Sequence, residues 1–143
     1  MDKTYTLQQT KLLAEEIAKR IKKKNFPNVV GLTGDLGSGK TTFVSFLAAS
    51  LGIEKRILSP TFVITREYPF DDQLGRSMKL YHIDLYRLDK ESASEIGLQE
   101  LLGDEQAVLV IEWAEKVRDL LPPNTFWMNF EFIDQDRRKI TTL

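Results

Sequence analysis

The sequence has 143 residues, of which 42% are hydrophobic and 29% charged, and its formal net charge is -1. These values are typical of one globular domain, and they predict no general attraction to nucleic acid or to a membrane surface. The absence of cysteine excludes disulfides, zinc–thiolate sites and thiol catalysis. The polar N-terminus and the short apolar runs predict no membrane partner, so we expect a cytoplasmic protein.

The first predicted element is a helix over residues 7–24. Thr6 and Gln9 have the spacing of a capping box, and apolar residues recur at helical spacing after them. The β-branched run at residues 29–33 predicts a buried strand. A glycine-rich turn follows, and residues 42–51 have a helical pattern.

The rest of the chain is predicted to alternate strands with short helices. The predicted strands cover residues 62–68, 78–86, 107–111, 126–133 and 139–143. The predicted helices cover residues 91–102 and 114–121. The strands at residues 62–68 and 78–86 are expected to pair antiparallel. The strands at residues 126–133 and 139–143 are expected to form a C-terminal β-hairpin. The sequence therefore predicts one α/β domain over residues 1–143, with a mixed sheet flanked by helices.

The stretch GDLGSGKTT at residues 34–42 has the spacing of a Walker A phosphate loop, with Gly34, Gly39, Lys40 and Thr41 at the required positions. A loop that wraps a polyphosphate must turn successive N–H groups inward, which glycine does without strain. The lysine can reach the β- and γ-phosphates, and the threonine hydroxyl can bind Mg²⁺. Because a strand precedes and a helix follows, we favour a nucleotide site over an incidental glycine-rich turn. The expected binding residues here are Asp35, Leu36, Gly37, Ser38, Gly39, Lys40, Thr41 and Thr42.

A second strand supplies a candidate metal ligand. Glu112 follows the apolar run at residues 107–111, which is the Walker B position, although a glutamate exposed at a strand end is the alternative. The next residue is Trp113 and not a second acid, so the group that orients water must lie elsewhere. Strand alternation puts His82 and Asp84 on one face. Asp84 could orient or deprotonate water, or could instead contact the metal's waters; His82 is more typical of a hydrogen-bonded structural residue than of a base.

Three other features stay open at the sequence level. Thr61 lies in the stretch LSPTF, which could be a γ-phosphate-sensing switch or a simple turn. Arg66 and Arg87 are candidate charge stabilisers, but exposed arginines are usually solvated. The basic cluster at residues 19–24 fits a solvated helix C-terminus better than a contact with tRNA phosphates or an acidic partner.

Four motifs occur in one order over about residues 30–117: GDLGSGKTT, SPTF, YHIDLYRL and VLVIEWAEKV. In this order the chain resembles the TsaE (YjeE) family of bacterial ATPases. The resemblance implies a P-loop NTPase fold and ATP hydrolysis required to form N6-threonylcarbamoyladenosine at position 37 of tRNAs that read codons beginning with A. It also implies TsaD and TsaB as partners, with tRNA reached through their complex.

The resemblance further implies roles for individual residues. Lys40 would bind phosphate, Thr41 and Glu112 would hold Mg²⁺, and Asp84 would be the catalytic acid. Trp113 would lie near the nucleotide, and Thr61 would lie in a switch-like loop.

Three other functions are compatible with a phosphate loop. A small-molecule kinase would usually carry a mobile lid with clustered arginines, for which the sequence after Glu112 gives little support. A regulatory GTPase would carry an Asn-Lys-x-Asp stretch, which does not occur, so adenine is favoured over guanine. A nucleotide-binding module with a purely structural role is the third alternative.

Overall fold

A computed structural model of the chain describes residues 2–54, 57 and 65–142. The strands are β1 (Asp2–Thr6), β2 (Val29–Thr33), β3 (Thr65–Asp71), β4 (Ser77–Asp84), β5 (Ala107–Glu112), β6 (Phe126–Asp134) and β7 (Arg137–Thr142). The helices are α1 (Leu7–Lys22), α2 (Lys40–Ser50), α3 (Lys90–Ser94) and α4 (Leu98–Leu102), with a 3₁₀ helix over Ala114–Leu120. The strands of this described part form one sheet in the order β1-β7-β6-β2-β5-β4-β3.

The middle of the sheet is parallel and its margins are antiparallel. Strand β2 pairs in parallel with both β5 and β6, and β4 pairs in parallel with β5. The pairs β3–β4, β6–β7 and β1–β7 are antiparallel. The predicted mixed α/β sheet with a C-terminal hairpin is thus confirmed. Because the carboxyl ends of parallel strands meet at one edge, the residues that follow β2, β4 and β5 lie close together.

Alternate residues of the central strands face two helical layers. Val30 and Val110 belong to the core cluster that contains the buried side chains of α1 and α2, such as Phe43. Leu109 and Ile111 belong to the cluster on the other side, with α3, α4 and the 3₁₀ helix. All six residues of β5 are buried, which explains why this strand is a continuous apolar run ending in a glutamate.

The capping box predicted at the start of α1 is confirmed. The Gln9 N–H donates to the Thr6 hydroxyl at 3.1 Å, and the Thr6 N–H donates to the Gln9 side chain at 2.9 Å. Helix α2 begins two residues earlier than expected, at Lys40, with Gly39 as its left-handed N-cap. The first turn of α2 therefore contains both Lys40 and Thr41.

Two expectations about the elements were wrong. The helix predicted over residues 91–102 is divided into α3 and α4, because Gly97 has a φ of +78° and residues in that conformation cannot continue a right-handed helix. Strand β1 was not predicted; its polar residues form an edge strand on β7, where Lys3 is in register with Ile140. The antiparallel pair predicted in the middle is confirmed for β3 and β4, whereas residues 62–64 of the first predicted strand lie outside the described residues.

Candidate functional site

The loop between β2 and α2 is a tight turn that depends on glycine at both ends. Gly34 has a φ of +130°, and a β-carbon there would collide with the carbonyl oxygen of Phe130. Gly39 has a φ of +107°, and a β-carbon there would come within 3.0 Å of Nε of Arg138. Strand β6 and strand β7 therefore press against this loop from the side, and only glycine leaves room for them.

A pocket opens over this loop at the carboxyl edge of the sheet. It brings together every residue that the sequence analysis assigned to nucleotide, metal or catalysis, apart from Thr61, which lies outside the described residues. It also includes one residue that was not predicted, Arg138. The lining residues are Asp35, Leu36, Gly37, Ser38, Gly39, Lys40, Thr41, Thr42, Asp84, Glu112, Trp113 and Arg138.

Glu112 is the buried acid of this pocket, with only 3% of its surface exposed. The Thr41 hydroxyl donates to its carboxylate, 3.2 Å from each oxygen. On the side away from the pocket, Nε2 of the fully buried His82 lies 2.6 Å from Oε2. An ionised carboxylate only accepts hydrogen bonds, so Nε2 carries the proton in this pair. His82 therefore holds Glu112 in place, as expected for a structural histidine.

Asp84 lies beside Glu112, because residues 84 and 112 are in register on the parallel strands β4 and β5. The Tyr86 N–H donates to Oδ1 of Asp84 at 2.9 Å, which fixes the direction of the carboxylate. Partial burial raises the pKa of Asp84 above the usual range for aspartate, and the nearby charge of Glu112 adds to this effect. A carboxylate with a raised pKa at the mouth of a pocket is suited to accept a proton from water.

Lys40 lies against the loop that precedes it. Its ammonium group donates to the carbonyl oxygens of Gly34 and of Asp35, the latter at 3.1 Å. Nζ also lies 4.5 Å from the centroid of the Trp113 ring, within the range of a cation–π contact. Burial lowers the pKa of Lys40 from its usual value, and the negative charge of Glu112 opposes that shift.

Trp113 forms the wall of the pocket next to Lys40. Its backbone is left-handed, with a φ of +61°, where β5 turns into the 3₁₀ helix. Such a conformation is uncommon and strained for a bulky residue, and it is frequent at functional sites. The Tyr86 ring lies 5.1 Å away, so an aromatic pair links the turns that follow β4 and β5.

The donor atoms of the pocket fit a nucleotide with Mg²⁺. Ser38 Oγ and Arg138 Nε are buried and have no hydrogen-bond partner among the described residues. A threonine hydroxyl beside a carboxylate is a suitable pair of oxygen ligands for Mg²⁺, which usually takes its other ligands from water and substrate phosphates. Among the described residues there is no group of three or more histidine, aspartate or glutamate side chains that could hold a metal ion by itself.

The other residues considered from the sequence lie outside the pocket. Arg66 is on β3 in register with His82, and Arg87 is in the turn after Asp84; neither lines the described pocket. The basic residues at the end of α1 precede β2, whereas the phosphate loop follows it, so about 16 Å of strand separates them. That cluster cannot contact the same phosphates as the loop.

Arg138 is the pocket residue that sequence reasoning missed. It lies on β7, and its Nη1 donates to the carbonyl oxygens of Asp134 and of Arg137, the latter at 2.9 Å. Its guanidinium carbon lies 4.8 Å from the centroid of the Phe132 ring. No local motif marks it, because its position next to Gly39 depends on the pairing of β7 with β6 and of β6 with β2.

Comparison with known proteins identifies the family. The family model described as "Threonylcarbamoyl adenosine biosynthesis protein TsaE" matches residues 4–140. This chain belongs to the TsaE family. The tRNA threonylcarbamoyladenosine biosynthesis protein TsaE of Bacillus subtilis is 37% identical over 139 residues, which is 97% of this chain and 82% of the relative. The TsaE protein of Treponema pallidum is 42% identical over 115 residues, or 80% of each chain.

A solved structure agrees with TsaE family membership. The crystal structure of Bacillus subtilis YdiB matches with a TM-score of 0.71 and 32% identity, over 99% of this chain and 84% of that one. Both the TsaE family and the fold expected from the sequence are thus confirmed. Within the described ranges, this TsaE protein has no helix of the length and apolar character needed to cross a membrane.

Proposed function

We propose that this TsaE protein binds ATP with Mg²⁺ and hydrolyses it to support the formation of N6-threonylcarbamoyladenosine at position 37 of tRNAs that read codons beginning with A. It would do so with TsaD and TsaB, and would reach tRNA through their complex. We expect this function to be carried out in the cytoplasm.

The observation that carries this proposal is the convergence of three chain segments on one pocket. The phosphate loop, Asp84 and Glu112 come from the carboxyl ends of β2, β4 and β5, and all three line the same space. In open α/β sheets, this edge is where nucleotides bind. A lysine, a hydroxyl and two carboxylates at such an edge are the groups that phosphoryl transfer requires.

The loop would bind the phosphates through its backbone and through Lys40. Backbone N–H groups that turn inward between residues 35 and 42 would attract the phosphates, together with the N-terminal end of α2. Lys40 now donates to backbone carbonyl oxygens of Gly34 and Asp35, and these are weaker acceptors than a phosphate oxygen. Its ammonium group would therefore turn to the β- and γ-phosphates.

The two carboxylates would divide the remaining chemistry between them. Thr41 and Glu112 would hold Mg²⁺, which when bound neutralises charge on the phosphates. Asp84 would orient the attacking water and accept its proton, because its raised pKa brings it closer to that of a useful base. Its backbone hydrogen bond from Tyr86 would keep it directed at the water.

The positions of these groups also suggest how the nucleotide would be oriented in the pocket. Asp84 and Glu112 would mark the end that holds the terminal phosphates. Thr42 and Arg138 line this pocket and also a small neighbouring cavity beside Leu7 that Asp84 and Glu112 do not line. The ribose and adenine would therefore extend toward Arg138, whose planar guanidinium is suited to stack on a base.

ATP turnover by the purified protein tests this proposal, with and without TsaB and TsaD. We expect the partners to increase the rate, and we expect Lys40→Ala to abolish it in both conditions. In cells depleted of this protein, the modified adenosine should be lost from tRNA and restored by the wild type but not by Lys40→Ala. If the rate of ATP turnover does not change when TsaB and TsaD are added, and phosphate is transferred to a small molecule, the result would instead favour a kinase.

A further inference from the structure

The ammonium group of Lys116 holds the turn that follows Asp84. It donates to three backbone carbonyl oxygens, those of Leu85 at 2.8 Å, Tyr86 at 2.7 Å and Leu88 at 2.6 Å. An ammonium has three donors, so this contact uses all of them on one short turn. Lys116 itself comes from the 3₁₀ helix and is not among the residues that line the nucleotide pocket.

One peptide group connects Lys116 with the carboxylate of Asp84. The carbonyl oxygen of Leu85 accepts from Lys116, and the N–H of the same peptide, which belongs to Tyr86, donates to Oδ1 of Asp84 at 2.9 Å. A trans peptide is planar, and its C=O and N–H point in opposite directions. Fixing the oxygen therefore fixes the N–H, and a cation on the oxygen also makes the N–H a stronger donor.

We propose that Lys116 is a positioning residue for Asp84: it sets the direction of that carboxylate through the Leu85–Tyr86 peptide. This inference rests on the proposed function, in which Asp84 orients the attacking water. The other end of the turn is held independently, since the Leu85 N–H donates to the carbonyl oxygen of Glu112 at 3.2 Å. On the Asp84 side, the Leu85 oxygen accepts from the Leu88 N–H at 3.0 Å as well as from Lys116 at 2.8 Å, so Lys116 is the side-chain contact that acts with this backbone bond to set the rotation of the peptide.

A matched control lies in the same part of the fold. Lys90 and Asp119 form an exposed ion pair at 3.6 Å, which also links the 3₁₀ helix to the segment after β4. Both side chains are more than three-quarters exposed, so this pair contributes little to stability. Lys90→Met therefore removes a lysine between the same segments without touching the turn.

The kinetic test uses Lys116→Met, Lys90→Met, Asp84→Asn and the double variant Asp84→Asn/Lys116→Met. We expect Lys116→Met to lower kcat for ATP roughly 10- to 100-fold, because misplacing a catalytic group by about 1 Å has effects of this size. Its Kd for ATP with Mg²⁺ should stay within about twofold of wild type. That measurement is needed because Nζ of Lys116 also lies 5.8 Å from the centroid of the Trp113 ring, and Trp113 lines the nucleotide pocket. Lys90→Met should behave as wild type, and Lys116→Met should have no further effect when Asp84 is already asparagine.

A second test needs no nucleotide. The amide of Tyr86 should exchange with solvent at least about tenfold faster in Lys116→Met than in wild type, whereas that of Gln106, which donates to Asp104 at 2.9 Å, should not change. Unchanged Tyr86 exchange, a wild-type kcat, or an equal loss of kcat in the Asp84→Asn background would overturn the inference. If the wild type with its partners hydrolyses no ATP, the proposed function fails, while the exchange measurement still decides whether Lys116 positions Asp84.

Discussion

Replacement of Glu112 separates its metal role from its structural role. Its carboxylate accepts from Thr41 on the pocket side and from His82 on the core side. Glutamine has the same shape and can keep both contacts, with its oxygen toward His82 and its NH₂ toward Thr41. Alanine loses both contacts. Glu112→Gln should therefore remove the charge that holds Mg²⁺ while preserving the fold, and Glu112→Ala should affect both.

The size of the structural effect follows from the burial of His82. Nδ1 of His82 already has no partner among the described residues, and the ring is fully buried. Glu112→Ala would leave Nε2 without a partner too, at a cost of about 1–3 kcal/mol for an unsatisfied buried polar group. Thr41 is partly exposed and can bond to water, so it adds little. We expect the free energy of unfolding to fall by about 1–3 kcal/mol in Glu112→Ala and by less than about 1 kcal/mol in Glu112→Gln.

Urea unfolding and ATP titrations with and without Mg²⁺ measure the two effects separately. In both variants the Kd for ATP with Mg²⁺ should rise about tenfold or more, which is about 1.4 kcal/mol, whereas the Kd without Mg²⁺ should change far less. An undiminished effect of Mg²⁺ on ATP binding in Glu112→Gln would remove Glu112 from the metal site. A stable Glu112→Ala variant would show that His82 does not depend on this contact.

Three further predictions concern Asp84 and Arg138. Asp84→Asn should lower kcat about 100-fold or more with little change in ATP affinity, and equal loss of binding would make Asp84 structural. Folding raises the pKa of Asp84, so the ionised carboxylate destabilises the folded state at a pH above the usual aspartate pKa. Without metal or nucleotide, Asp84→Asn should therefore melt at a higher temperature than wild type at pH 7. This difference in melting temperature should disappear below about pH 3.9, where the aspartate is protonated in both the folded and the unfolded state. Arg138→Met should weaken binding of ATP but not of inorganic triphosphate, with Arg137→Met, which removes an exposed arginine paired with Asp134, as the control. Equal weakening of both ligands would place Arg138 on the phosphates.

The phosphate loop and its flanking elements were predictable because the signal is local. The glycines, Lys40 and Thr41 lie within a few residues of one another, between a β-branched run and a stretch with a helical pattern. Glu112 was predictable for a similar reason, since it ends a strand that is buried on both faces. These features depend on the backbone near each residue and not on the rest of the fold.

The contacts that complete the site depend on strand pairing that no local pattern encodes. The hydrogen bond between His82 and Glu112 requires the register that places His82 opposite Val110 on β5. The approach of Arg138 to Gly39 requires three strands in the order β7-β6-β2. Gly97 lies inside the helix predicted over residues 91–102, and a glycine in a helical pattern does not reveal that its φ will be positive.

The central claim is that the loop over residues 34–42 binds a magnesium-bound adenine nucleotide with the help of Lys40. Isothermal titration calorimetry of the folded wild type and of Lys40→Ala with ATP and Mg²⁺ tests it most directly. We expect saturable heat with one site per chain for the wild type, and a loss of affinity of about tenfold or more for Lys40→Ala. Absence of binding heat in the wild type with its partner proteins present, or equal affinity in the two proteins, would contradict it.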